Sequence, residues 1–248
     1  MPPYNPDPRI FEISIGELEA ILRWISDREG RRGLENTFLI GGWAVYVYNP
    51  TLKSVDIDLI TNSSTRSSLK HYLRTEREYD IHSAGTFNTV AKRTSYGDVI
   101  VDFATTSDPC KFYGRVEELS FRELTGRSVT RPLNNSINAR VPERSLLTLY
   151  KLKASWDRKR RIEAEDSHDT EWEYGKMVKD YADIIALLDP SNGGREVDLN
   201  YIGEKLDELS FLREHLFDIP GQTESIERYD RLSKADVRSI FEDLSRLI

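Results

Sequence analysis

Several things are scarce in this chain of 248 residues. It has one cysteine, Cys110, which excludes an internal disulfide. Its four histidines, His71, His82, His168 and His215, never fall at the spacing of zinc ligands. No apolar run approaches the roughly 20 residues that span a bilayer. The opening MPPYNPDPRIFEI has neither the basic start nor the apolar stretch of a secretory signal. The expectation is a protein neither exported nor embedded in a membrane, at home in a reducing cytoplasm. A basic surplus is missing too: the net charge is -7, so any nucleic-acid contact should be confined to a local groove. No internal repeat or long low-complexity tract is present.

With 38% hydrophobic and 31% charged residues, the composition is that of a globular protein able to bury a core. The first nine residues are proline-rich and read as an extended arm. Leu18, Ile21, Leu22 and Ile25 recur at helical spacing, which predicts a helix from Ile15 to about Glu29, capped by Ser14 and ended by Gly30 and Gly33. Thr37 to Ile40 reads as a buried strand, Gly41-Gly42 as a turn, and Trp43 to Tyr48 as a helix stopped at Asn49-Pro50. Strands are expected over Val55 to Ile60, Phe87 to Lys92 and Val99 to Ala104, with a polar helix over Thr65 to Glu78. From Pro142 the pattern becomes helical: to Arg161, then Tyr174 to Leu188, Leu199 to Leu212 and Lys234 to Leu247. An α+β first part (1-140) and a helical second part (141-248) are the economical division.

The run FLIGGWAVYVYNPTLKSVDIDLIT places Asp56 and Asp58 inside an apolar strand pattern. Residues two apart in a strand share a face, so both acids point one way while Ile57 and Leu59 enter the core. Burying paired carboxylates costs free energy unless positive charge faces them. Magnesium, with its preference for carboxylate oxygens, water and phosphate, is a natural occupant. Asp102 interrupts a second apolar strand, VIVDFAT, and completes a possible triad. Three carboxylates around two ions about 3.5–4 Å apart suit in-line phosphoryl chemistry. A Gly-Gly bend opening a helix lets the backbone approach a polyphosphate.

The order Ile40-Gly41-Gly42, thirteen residues, Asp56-Ile57-Asp58-Leu59 and then Asp102 resembles the signature of the DNA polymerase β-like nucleotidyltransferase superfamily. Where many relatives carry Ser, this chain has Gly42, which leaves phosphate to the backbone and to basic side chains. Farther on, Lys151-x-x-Ala154-x-x-x-Arg158 and Lys179-Asp180-x-x-Asp183 resemble the paired motifs of AbiEii-type nucleotidyltransferases, many of them toxins of toxin–antitoxin pairs. Lys179 stands where Arg is usual. The resemblance covers residues 38-104 and 142-188. It implies a nucleotidyltransferase fold, a mixed sheet flanked by helices, with a C-terminal helical lobe completing the cleft.

On that resemblance Asp56, Asp58 and Asp102 hold Mg2+, two ions in all. Gly41 and Gly42 orient an NTP, Lys151 and Arg158 neutralise its triphosphate, and Asp180 and Asp183 fix those cations or touch the acceptor. Lys153 is the other candidate phosphate lysine, placed on a different helix face from Lys151. The acceptor hydroxyl is left open among tRNA, protein and a small molecule, as is an antitoxin partner. Two alternatives stand beside this reading: a catalytically inactive nucleotide-binding regulatory module, against which the intact Asp56, Asp58 and Asp102 weigh, and an antibiotic-modifying small-molecule nucleotidyltransferase, which shares the signature. Each residue also has a plainer reading. The aspartates can be a solvent-facing edge pair, KLKASWDRKRR a solvated basic face, Asp180 and Asp183 surface partners of Arg, Trp43 core, and Lys92 and Arg93 surface decoration. Lys159, Arg160 and Arg161, with the helix bearing Lys70 and Arg74, offer a local phosphate track.

Overall fold

Helix formation begins earlier than the apolar spacing suggests, because Asp7 caps the N-terminus by accepting from the Arg9 amide at 2.9 Å and Pro8 occupies the first turn. The computed structural model describes residues 6–31, 35–81 and 88–248. Helix α1 runs Pro8–Gly30. Ser14, expected as its cap, is instead buried inside it, donating to the Val55 carbonyl at 2.6 Å and accepting from Trp43 Nε1 at 3.0 Å. Pro8 and Arg9 are therefore helix and not extended arm. Residues 1–5 of that arm, Gly33, His82 and Phe87 lie outside the described residues.

The chain continues through β1 (Phe38–Ile40), α2 (Gly41–Tyr48), β2 (Ile57–Ile60), α3 (Ser63–Glu76), β3 (Asp80–Ile81), β4 (Thr89–Thr94) and β5 (Gly97–Ala104). These five strands form one mixed sheet in the order β1-β2-β5-β4-β3, with β2 and β5 parallel and the other neighbours antiparallel. Ile57, Leu59, Val101 and Phe103 enter the core, as their alternation requires. A hairpin of β6 (Ser128–Asn134) and β7 (Ile137–Pro142) follows. It was not legible in the sequence. Pro142 ends β7, so the long helix α4 starts at Arg144 and runs to Glu163.

Helix α5 (Thr170–Leu188) packs beside α4, and α6 (Leu199–Glu208), α7 (Phe211–Phe217), α8 (Thr223–Tyr229) and α9 (Lys234–Leu247) enclose them. The single helix expected over Leu199 to Leu212 is broken at Leu209 and Ser210 into α6 and α7. One apolar cluster runs from Ile10 and Leu18 of α1, through Ile57 and Val101 of the sheet, to Leu187, Leu212 and Phe241. The segment after α2 is tied to the helical part by Asn49, whose amide donates to the Ala186 carbonyl at 2.9 Å and to Tyr229 Oη at 2.7 Å. Tyr229 donates in turn to Asp189 at 2.5 Å. Among the described residues no helix is long and apolar enough to cross a membrane.

Candidate functional site

The bend between β1 and α2 is built around a side chain that is not there. Gly41 has φ +68, and a Cβ on it would lie 1.9 Å from Asp58 Oδ2. Only glycine accepts both that backbone and that contact, so Asp58 rests directly on the bend. Gly42 acts differently. It is buried, and a Cβ there would meet Ser54 Oγ at 2.6 Å and Lys179 Nζ at 2.9 Å. Its missing side chain makes room for Ser54 and Lys179, and it does not line the cleft described below.

Asp58 and Asp102 are register partners on the parallel strands β2 and β5, so their side chains leave the same face of the sheet. Asp56 sits in the bend just before β2, and its Oδ2 is 2.5 Å from Lys176 Nζ. Thr89 Oγ1 donates to Asp102 Oδ1 at 2.5 Å. The carboxyl of Asp58 is pushed up to about 7, by burial first, then by the negative charges of Asp102 and Asp56; Lys151 and Lys176 oppose the rise. The three acids thus feel one another across a common space.

Of the three acids Asp58 alone lines the adjoining cleft, of about 310 Å³. Gly41 and Asp58 form one side, and the other is α4, contributing Tyr150, Lys151, Lys153, Ala154, Arg158 and Arg161. Ala154 lies in the middle of this face with cations to either side, since 100° per residue places Lys153 at one edge and Lys151 and Arg158 at the other. Lys153, expected on a different face, therefore shares the cleft with Lys151; a concave wall admits a wider arc of the helix than a flat contact. Its ammonium pairs with Asp157 at 2.5 Å. A larger depression of about 640 Å³ around Arg115, Trp156 and Arg160 is on another face of α4, away from the acids and the glycine bend.

The α4 cations are matched by acids of α5. Lys151 Nζ lies 2.9 Å from Asp180 and 2.7 Å from Asp183. Arg158 Nε is 3.0 Å from Asp180, its guanidinium 3.4 Å from Glu173, and Arg161 also pairs with Glu173. Lys179 is 2.9 Å from Asp183. Burial disfavours the Lys151 ammonium, yet Asp180 and Asp183 outweigh it and drive its pKa up. For Asp180 burial acts upward, while Lys151 and Arg158 bring the pKa down to about 2. Both shifts favour the charged forms, with the lysine held between two acids. Asp183 is 0% exposed and lies behind Lys151, so it fixes cations and does not line the cleft.

Trp43 is core, its plainer role, whereas Lys92 is no surface decoration: partly buried, it pairs with the buried Glu17 at 3.0 Å. Sequence reasoning missed Lys176, Thr89 and the cleft-lining Phe121 and Tyr150. An i,i+4 spacing from Lys176 to Asp180 was the available signal for the first.

Among the described residues, no three or more His, Cys, Asp or Glu side chains stand gathered as a ready metal site. Asp56 is turned to Lys176 and Asp102 is held by Thr89. The donor chemistry nevertheless suits a hard divalent cation: Asp58 and Asp102 leave one face of adjacent strands, and the charge of Asp56, two residues before Asp58, also opposes its ionisation. Asp56, Asp58 and Asp102 are the residues that would hold it.

No protein-family profile matches the chain, and no curated protein does. Among solved structures it is similar to the antibiotic-resistance factor ANT(2'')-Ia, whose solution structure is described as showing substrate-regulated conformation dynamics. The identity is 13%, the TM-score 0.39, and the match covers 81% of this chain and 97% of that one.

Proposed function

We propose that the chain is a metal-dependent nucleotidyltransferase that moves a nucleoside monophosphate from an NTP to a hydroxyl acceptor. The observation that carries this reading is the seating of Asp58 on Gly41, with Asp102 as its in-register neighbour, across a cleft from the cationic face of α4. A polyphosphate laid along α4 meets Lys153, Arg158 and Arg161 at the cleft wall, with Asp58 on the Gly41 bend facing them. Lys151, clamped by Asp180 and Asp183, fixes the positive edge of that wall in place. Magnesium, two ions in the full arrangement, would supply charge neutralisation at the attacking and leaving oxygens when bound at Asp56, Asp58 and Asp102. In this reading Asp102, which accepts from Thr89, draws the proton from the acceptor hydroxyl. The hydroxyl oxygen then forms its bond to the α-phosphorus as the bond to pyrophosphate breaks.

Incubation with α-labelled NTPs, magnesium and separate pools of tRNA, protein and small hydroxyl compounds tests this. Label should enter one pool with stoichiometric pyrophosphate release, and Asp58→Asn should abolish it. No transfer with any pool, alongside retained nucleotide binding, would favour the inactive regulatory reading. The pool that takes label separates a toxin-like enzyme, with an antitoxin partner, from an antibiotic-modifying one.

A further inference from the structure

Lys176 lies one helical turn after Trp172 and one turn before Asp180, so all three project from one face of α5. Its ammonium is 2.5 Å from Asp56 Oδ2 and 5.2 Å from the centre of the Trp172 ring. Lys151, Lys153, Arg158 and Arg161 are each held by acids of α4 or α5. Lys176 differs in kind: it crosses from the helical half to the acid cluster itself, 120 residues away in sequence.

The ammonium therefore occupies a carboxylate oxygen that a hard divalent cation would also seek. Two cations on one oxygen repel at close range. A lysine is the residue able to yield, because its charge rides on a flexible four-carbon stem. The half-buried Trp172 ring offers a resting place for the ammonium within cation–π reach. Arg158 flanks the same ring at 5.6 Å, so a displaced Lys176 would lie beside a cation of the cleft wall.

We infer that Lys176 is the resident counter-ion of the acid cluster, and that Lys176 and a divalent cation bind Asp56 in competition, an inference that rests on the proposed reading of these acids as metal ligands. Metal entry then releases the lysine toward Trp172, moving one positive charge toward Arg158 at the cleft wall. The exchange is non-covalent and consumes nothing.

Manganese binding to the full chain, followed by the resonance of free Mn2+ without nucleotide, tests the inference. Lys176→Met should bind Mn2+ about tenfold more tightly than the unsubstituted chain. That gain should vanish when Asp56→Asn is added. Unchanged or weaker binding by Lys176→Met, with binding still lost in Asp58→Asn, would overturn the competition while leaving the metal reading intact. Absence of Mn2+ binding in every form would overturn both. A second measurement needs no substitution: reductive methylation of the unsubstituted chain, read by mass spectrometry, should label Lys176 several-fold faster at saturating Mn2+. Equal labelling with and without bound Mn2+ would overturn the inference even if Lys176→Met fails to fold.

Discussion

Replacing Asp58 with Asn should make the protein more stable at neutral pH while ending its chemistry. The carboxyl is pushed from 3.8 to about 7 by burial and by Asp102 and Asp56. A carboxyl raised in this way contributes stability that is complete below its unfolded value near 3.8 and is lost as pH climbs through 7. Roughly three pH units separate the two values, on the order of 4 kcal/mol at 1.36 kcal/mol each. Solvent reaching the half-buried side chain trims this to about 2–4 kcal/mol. Asn keeps the shape and removes the charge, so it avoids the cost. Urea unfolding in chelator should show the two proteins equally stable near pH 4, with Asn ahead by about 2–4 kcal/mol at pH 8. A difference that stays flat with pH, or an Asn variant less stable at pH 8, would refute the account of Asp58 as a crowded, ionisation-resistant acid.

Two further outcomes follow from the geometry. Gly41→Ala puts a Cβ 1.9 Å from Asp58 Oδ2, so the carboxylate must withdraw by about 1 Å or more. Transfer should fall about 100-fold, with about 1–2 kcal/mol of stability lost to the left-handed backbone; near-normal turnover would argue that Asp58 need not rest on the bend. Lys151→Met leaves Asp180 and Asp183 facing each other with less counter-charge and should cost about 3–5 kcal/mol in urea unfolding. A loss below about 1 kcal/mol would mean that Lys179 and Arg158 suffice for both acids.

Strands β2 and β5 and their acids were legible because Ile57, Leu59, Val101 and Phe103 alternate with the aspartates, and the period of two states which side faces the core. The two-residue β3 carries no such pattern, and Asp56, expected within β2, falls in the bend before it. Helix α1 was legible in its middle but not at its start, since Asp7 and Pro8 act through one cap and one fixed φ within an otherwise extended-looking tract. The hairpin of β6 and β7 was hidden by Pro132 and by a face that is only half-buried along β6. The run KLKASWDRKRR read equally well as a solvated basic face because the partners of Lys151 and Arg158 are remote: Asp180 is 29 residues from one and 22 from the other. Local spacing shows charges on one helix, not the acids a neighbouring helix brings to them. Lys176 went unnoticed for the same reason, its carboxylate lying 120 residues earlier, in the bend before β2.

The relay from Asn49 through Tyr229 to Asp189 pins the stretch leading to the acid strand onto the closing helices, inside one continuous apolar interior. Walls anchored in this manner do not part like jaws. A ligand arriving at the mouth would be admitted by individual side chains turning aside, with Arg161 the most open of the cations there. Gating at that mouth should then be set by the breaking of single ion pairs and the turning of single rotamers, without waiting for a collective hinge.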